Sequence, residues 1–327
     1  MYEDLSNQTT MAQSLTVVYI AVEVVIGVLA IFGNTLVIWA VKVNPSLQDT
    51  TFYFIVSLAV TDLAVGVCVI PLAILLELKI HLYFHTCLFL CCTIIIFTNA
   101  STASLLAIAM DRYVRIKLPN SHRKVFTKKR IYLSISFCWT MSTIGALVPM
   151  FGWNNRPNLR EEERNVLICN FPNVMSMDYL VYFCFFVWVL FPLFTMMALY
   201  VEIFYIVRQH MRKRVSNLHV NKSTYSKELK ITISLVFVMG LFAFCWLPIS
   251  ILNCISYFYP NIVQTDAFQP ALYLCIVLSH LSSVINPIIY SLKIKKFKST
   301  FIHIIKRHIP CRDVITEASS TENTVEK

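Results

Sequence analysis

The run TFYFIVSLAVTDLAVGVCVIPLAILL, Thr51 to Leu76, carries one charged residue, Asp62, in a length that a helix can lay across a bilayer. A hydrocarbon core takes roughly 20 apolar residues in helical form, because only an internally hydrogen-bonded backbone is tolerated there. Working outward from this run, more of the same kind stand at Leu15 to Val41, Tyr83 to Ile116, Ile131 to Phe151, Met177 to Val207, Lys230 to Phe258 and Phe268 to Leu292. A hydrophobic fraction of 57% and a mean hydropathy of +0.64 agree with them. The expectation is an all-α membrane protein, a seven-transmembrane helix bundle with a short amphipathic eighth helix.

Seven crossings put the two termini on opposite faces, and the basic residues choose between the orientations. One face collects Lys42, the stretch Arg112 to Arg130, the stretch Arg208 to Lys230 and everything basic from Lys293 onward. The other holds only Lys79, Arg156, Arg160 and Arg164 of the 28 Lys and Arg. The positive-inside rule predicts that the crowded face is cytoplasmic and the N-terminus extracellular, at a plasma membrane. On this reading the net charge of +10 faces anionic inner-leaflet lipids, and no nucleic acid partner is called for.

Residues 1–14 read as an extracellular N-terminus that lacks the basic start of a cleaved signal. Residues 15–292 are the transmembrane domain, 293–310 the amphipathic helix with the membrane-proximal tail, and 311–327 a disordered cytoplasmic tail. From Lys295 to Lys306 the apolar Phe297, Phe301, Ile304 and Ile305 gather on one side, which suits a helix lying on the inner surface. Cys311 beyond it is a palmitoylation candidate, against the reading of a free thiol. Asn7 heads a glycosylation triplet outside, whereas the same pattern at Asn99 lies in a span and at Asn221 in the cytoplasm. Most of the 11 cysteines lie within spans, where a thiol acts as a small hydrophobe. Cys87 and Cys169 both fall on the oxidising side and are read as a disulfide, the alternative being two separate thiols. No cysteine or histidine set has metal-ligand spacing. Prolines within spans, at Pro71, Pro149, Pro192, Pro248 and Pro287, predict kinks that open space between helices.

Ionisable groups at membrane depth cost at least ~2.5 kcal/mol each on insertion scales, so each one found there asks for a role. Asp62 lies mid-span, with Ser101, Asn286, Ser282 and Ser283 at matching depth. One carboxylate among hydroxyl and amide oxygens suits a sodium ion, and equally a hydrogen-bonded network without an ion. No other cofactor is expected. Asp111-Arg112-Tyr113 closes span three on the cytoplasmic side, and Glu228 opens span six at the same level. A guanidinium held by Asp111 and Glu228 would latch span six to span three, the competing reading being a solvated helix end.

Asn34, Asp62, Asp111-Arg112-Tyr113, Trp139, Pro192, Tyr200, Trp246-Leu247-Pro248 and Asn286-Pro287-Ile288-Ile289-Tyr290 are distributed over all seven spans. Together they resemble the rhodopsin-like G-protein-coupled receptors. The resemblance implies a heterotrimeric G protein as partner, with arrestin and receptor kinases, and an activation switch built from Asp111, Arg112, Tyr113, Glu228, Asn286, Pro287, Tyr290 and Tyr200. Receptors of this class for cationic amines carry an Asp in span three where this chain has Ile94, which implies a neutral ligand. No Lys lies between Phe268 and Leu292 to form a Schiff base with retinal.

Helical spacing then outlines a cleft. Trp246, Ile249, Ser250 and Asn253 share a face of span six, Asn253 standing two turns or roughly 10 Å above Trp246. Leu272, Tyr273, Ile276, Ser279 and His280 do so in span seven, and Ile94, Ile95, Thr98 and Ser101 in span three; Leu180 joins from span five. The carboxamide of Asn253 offers the donor and acceptor pair that matches the N6 amine and N7 of adenine. Phe171, two residues beyond Cys169, can stack on a purine, and Thr98, Ser279 and His280 offer partners for a ribose. The alternatives are a helix-end cap for Asn253, loop packing for Phe171, and for His280 a structural hydrogen bond to Glu23. With Asn44-Pro45-Ser46-Leu47-Gln48, Met150-Phe151-Gly152-Trp153-Asn154, Met177-Asp178-Tyr179 and Lys293-Ile294-Lys295-Lys296-Phe297, these residues resemble the adenosine receptors, the third subtype nearest. That implies adenosine as agonist and inhibitory G proteins that lower cyclic AMP.

Four positions depart from that pattern. Pro172 stands where several subtypes carry a glutamate, Asn99 where the third subtype has a histidine, Ser282 where the family has an asparagine near the sodium site, and Ile249 where a leucine meets the purine. A receptor for another neutral small ligand is the alternative within the class. A transporter lining an ion path with Asp62 and Asn286 is a different class, but the chain lacks internal duplication. An enzyme is not expected, for no catalytic set gathers at one depth.

Overall fold

Each apolar run forms a helix long enough to cross a membrane, at Gln13–Val43, Thr50–Glu77, Phe84–Lys117, Lys128–Phe151, Tyr179–Gln209, Val236–Phe258 and Phe268–Leu292. The computed structural model describes residues 2–48, 50–118, 122, 126–214 and 222–308; the side chains of 2–10, 12, 163, 210–232, 234, 235, 293, 295, 307 and 308 fall outside that description. Asn7 and Glu228 as side chains, and Cys311 altogether, therefore lie outside it. The first helix runs continuously from Tyr2 to Val43, and its part from Gln13 onward is the one apolar enough to cross a membrane.

Three of the five prolines mark the places where the helices depart from regular α geometry. Span two is α-helical over Thr50–Ala64, opens to a π turn at Val65–Val69 and resumes over Ile70–Glu77 with Pro71 in its first turn. Span five starts as a π segment, Tyr179–Leu190, and tightens at Phe191 beside Pro192; span four ends in a 3-10 turn, Val148–Phe151, around Pro149. A ring without an N–H cannot complete the i to i−4 ladder, and a wider or tighter turn re-routes the carbonyl it strands. Pro248 and Pro287 sit inside continuous helices.

Span three packs against spans two, four and five, and span seven against spans one and six. Spans one and two meet at glycines: a Cβ on Gly66 would lie 2.8 Å from the carbonyl oxygen of Gly27. The bundle is apolar outside as well as inside, with Leu133, Phe137, Phe194 and Phe204 exposed around its girth. Such a surface is matched by lipid and not by water.

At one end of the bundle a two-stranded antiparallel sheet pairs His81–Tyr83 with Val166–Ile168, His81 opposite Ile168. The Cys87–Cys169 disulfide fastens it to the first turn of span three, with a Cα separation of 5.5 Å. At the other end the helix Lys295–His308 turns its apolar side inward. Phe297 is fully buried, stacks on Tyr290 at 5.6 Å and meets Phe52 edge-on at 5.7 Å. Asn44 Nδ2 donates to Thr300 Oγ1 at 2.7 Å and Lys296 Nζ to the Ser46 carbonyl at 2.9 Å, tying this helix to the turn after span one.

Candidate ligand cleft and switch

The Cys87–Cys169 disulfide orders the segment that leads to Phe171, one of the residues that spacing assigns to the cleft. Two residues beyond Cys169 the chain enters a short helix, Phe171–Val174, whose start is capped by Asn170 Oδ1 accepting from the Asn173 N–H at 2.9 Å. Phe171 is half-buried and packs on the cluster that holds Cys87, Cys91, Ile95, Cys169 and Met175, which Leu180 also joins. Pro172 beside it is exposed, and its carbonyl accepts from Asn155 Nδ2 at 2.9 Å.

On span six, Ile249 and Asn253 are half-buried, and no described residue hydrogen-bonds the Asn253 carboxamide. Below it Trp246 packs on Phe242 at 6.1 Å, with its buried Nε1 unpartnered among the described residues. Three hydroxyls of the cleft donate to their own helices: Thr98 to Ile94 at 3.0 Å, Ser250 to Trp246 at 3.0 Å and Ser279 to Ile276 at 2.7 Å. Their lone pairs remain as acceptors, so donors toward a guest come from amides and rings. The buried Asn99 Nδ2 is a further unpartnered donor, one helical turn below Ile95.

On span seven Leu272 and Ile276 are half-buried, and His280 Nδ1 lies 2.8 Å from Glu23 Oε2, both residues buried. A carboxylate can only accept from that nitrogen, which fixes the ring and leaves Nε2 free to face a ligand. Tyr273 corrects the reading from spacing. Its ring stacks on Tyr19 at 4.3 Å, and its hydroxyl bonds Glu77 and, at 3.1 Å, Thr16. One helical step, about 100°, turns it toward spans one and two while Leu272 and Ile276 keep another direction.

Deeper in the bundle Asp62 is buried; its oxygens accept from Ser283 Oγ at 3.0 Å and Asn286 Nδ2 at 2.7 Å. Ser101 is not bonded to Asp62. It lines, with Ser282, Asn286 and Phe242, a cavity of about 10 Å³, on the scale of one water molecule. Asn34 Nδ2 donates to the Ser283 carbonyl at 2.9 Å, which locks span one to the same stretch of span seven.

At the far end Asp111 and Arg112 are buried. The expected Asp111 to Arg112 pair is present but long, and other groups meet the carboxylate more closely. That carboxylate accepts from Thr51 and, at 3.2 Å, from Thr50, and lies 3.1 Å from His122 Nε2, whereas Arg112 Nε is 4.0 Å away. A guanidinium leaving from the adjacent residue points off along the helix surface, so Thr50 and Thr51 of span two and His122 reach the carboxylate better. Tyr113 donates to Glu202 at 2.9 Å and Lys117 Nζ lies 2.8 Å from the same oxygen, joining spans three and five. Tyr200 and Tyr290 are buried in one cluster, the Tyr290 hydroxyl unpartnered among the described residues.

The profile of the 7 transmembrane receptor (rhodopsin family) matches residues 33–290. Adenosine receptor A3 of Ovis aries is 50% identical over 311 residues, covering 95% of this chain and 96% of that protein. Adenosine receptor A3 of Canis lupus familiaris is 51% identical over 308 residues, 94% and 96% of the two chains, and that of Bos taurus 48% over 318 residues, 97% and 99%. The chain belongs to the adenosine receptors of the rhodopsin family. As a member of it the protein is a multi-pass plasma-membrane receptor, and the positions that motif spacing singled out can be compared with where this receptor holds them.

The depth match of Asp62 with Asn286, and the structural alternative for His280, a hydrogen bond to Glu23, both appear as contacts in the structure. Spacing missed His122, Thr50, Thr51 and Glu202. The Tyr113 and Lys117 pair was visible at i, i+4; His122 and Glu202 carried no signal, since their partners lie on other elements.

Proposed function

We propose that this receptor binds adenosine in the cleft below the Cys87–Cys169 lid and couples to inhibitory G proteins, lowering cyclic AMP, with the N-terminus outside and no enzymatic activity of its own. The observation that carries the reading is the Asn253 carboxamide, half-buried above Trp246 with no bond to the described chain. A directional donor and acceptor that no protein group occupies, at the edge of an apolar wall, is available to a guest that offers the matching pair. An aminopurine does, through its exocyclic amine and ring nitrogen. Phe171 stacks on the ring, Ile95, Leu180, Ile249, Leu272 and Ile276 enclose it, and Thr98, Ser250, Ser279 and His280 meet the ribose. With Pro172 in place of an acid, the adenine amine has one side-chain acceptor instead of two.

Agonist acts by its differential affinity for the signalling state. Closing on Trp246 biases span six, and outward movement of its cytoplasmic end, released from the expected Glu228 to Arg112 latch, opens the surface for the G protein. Arrestin and receptor kinases, glycosylation at Asn7 and palmitoylation at Cys311 belong to the same reading. The test is a cyclic AMP assay in transfected cells: adenosine lowers stimulated cyclic AMP, a xanthine blocks it, and no response to adenosine would overturn the assignment.

A sodium ion is the second part of the proposal. Asp62 supplies the charge, and Ser101, Ser282 and Asn286 border the adjoining cavity with oxygen atoms. These are hard donors that fit a small cation. Replacing sodium by a bulky organic cation should raise agonist affinity in the native receptor and leave it unchanged in Asp62→Asn; equal affinity in both salts would remove the ion.

A further inference from the structure

A groove of about 630 Å³ opens at the lid end, between the first turn of span three and the end of span four. It is lined by His85, Met150, Phe151, Gly152, Asn154, Arg156, Pro157 and Arg164, none of them in the adenosine cleft. Two of the four basic residues that the sequence assigns to the outer face thus converge here with a histidine. No carboxylate is among its described lining residues, and the neighbouring Glu161 and Glu162 are exposed.

The arginines are positioned by bonds that leave most of their donors unused. The Arg156 guanidinium stands over the Phe84 ring at 5.8 Å, with Nη1 3.4 Å from His85 Nε2, and its backbone N–H donates to Asn154 Oδ1 at 3.0 Å. Arg164 is half-buried and gives Nε to the Leu159 carbonyl at 3.3 Å. No described carboxylate pairs with either. Cationic groups gathered without a counter-charge favour an anion with several oxygens, and a guanidinium's fork matches phosphate in two-point contact.

The surroundings say which phosphate. Phe151 is 88% exposed at the end of a membrane span, and Tyr83 and Trp153 are exposed nearby. Exposed aromatics at a span's end mark the headgroup level, and Met150 and Phe151 continue the groove toward acyl depth. We propose that the groove is a binding site for an outer-leaflet phospholipid, its phosphodiester held by Arg156, Arg164 and His85 and its glycerol and upper acyl carbons lying on Met150 and Phe151. The word outer rests on the orientation proposed above; the site itself does not.

The test uses the full-length receptor in nanodiscs, which expose both faces. A phosphatidylcholine carrying a photoreactive group near its glycerol is crosslinked and mapped by peptide mass spectrometry, beside a diacylglycerol probe with the same reactive chain. The phosphate-bearing probe should label the segment from 150 to 164, and the phosphate-free probe roughly tenfold less, the scale of one or two arginine contacts at a membrane surface. R156Q/R164Q should lower phosphatidylcholine labelling by a similar factor while antagonist binding persists; R160Q, outside the groove, should leave it unchanged. Equal labelling by both probes on the native receptor overturns the proposal without reference to any variant. Undiminished labelling in a correctly folded R156Q/R164Q does so as well. Loss of native labelling in millimolar inorganic phosphate would reassign the site to a free anion and overturn the lipid.

Discussion

The proposed cleft and the Asp111 carboxylate at the other end of the bundle differ in how their polar groups are met, although neither end is uniform: Glu23 and His280 pair in the upper half, and the Tyr290 hydroxyl has no partner among the described residues in the lower. Under the lid, Asn253, the Asn99 amide nitrogen and Trp246 Nε1 go without protein partners among the described residues. At the Arg112 end a single carboxylate, Asp111, is met by Thr50, Thr51 and His122, and Tyr113 and Lys117 share Glu202. Unmatched groups in a cleft await a guest, while matched ones hold helices in place until something competes for them. On the function proposed above, the difference separates two kinds of failure: changes near Asn253 should alter binding, and changes around Asp111 should alter signalling without ligand.

The largest effect is expected from the lid. Cys87→Ser should abolish adenosine binding at the cell surface, since losing a native disulfide costs about 2–5 kcal/mol and releases Phe171; normal saturation binding in that variant would show that the lid stands without it. Asn253→Ala should weaken agonist affinity by about 100-fold, in keeping with about 1–3 kcal/mol for a bidentate amide contact, with surface expression unchanged by flow cytometry. An unaltered affinity there would erase the contrast between the ends.

At the opposite end the expected readout moves from affinity to basal activity. Glu228→Ala should raise ligand-independent signalling severalfold in a cyclic AMP assay while antagonist affinity holds; a flat basal level would argue against a latch on span six. Thr51→Val removes a donor to Asp111 and should raise basal signalling less, because Thr50 and His122 remain. Glu202→Gln should change it least, within about twofold, since exposed ion pairs contribute little. A Glu202→Gln effect exceeding that of Glu228→Ala would shift the restraint from span six to span five.

Much of this was legible before any coordinates. Asn253 stood out because a carboxamide at helical spacing above Trp246 has few roles on an apolar wall, and Asp62 because charge in a membrane span is costly. Tyr273 was misassigned for a definable reason: periodicity gives the arc of a helix that leaves lipid, but two neighbours in a bundle divide that arc, and the choice fell to Tyr19, Thr16 and Glu77. His122 carries no signal in the sequence, because its role rests on the Asp111 carboxylate that packing brings to it.

The sequence by itself determined the number of spans and the family, since those follow from hydrophobic length and residue identity; of the five span prolines, three coincide with departures from α geometry and two lie in continuous helices. Tertiary structure alone decided which polar groups found partners. Hydrogen bonds act over about 3 Å, and whether Asp111 meets Arg112 or His122, or Arg156 gathers with Arg164 beside a lipid-level groove, depends on distances between segments that no linear spacing encodes.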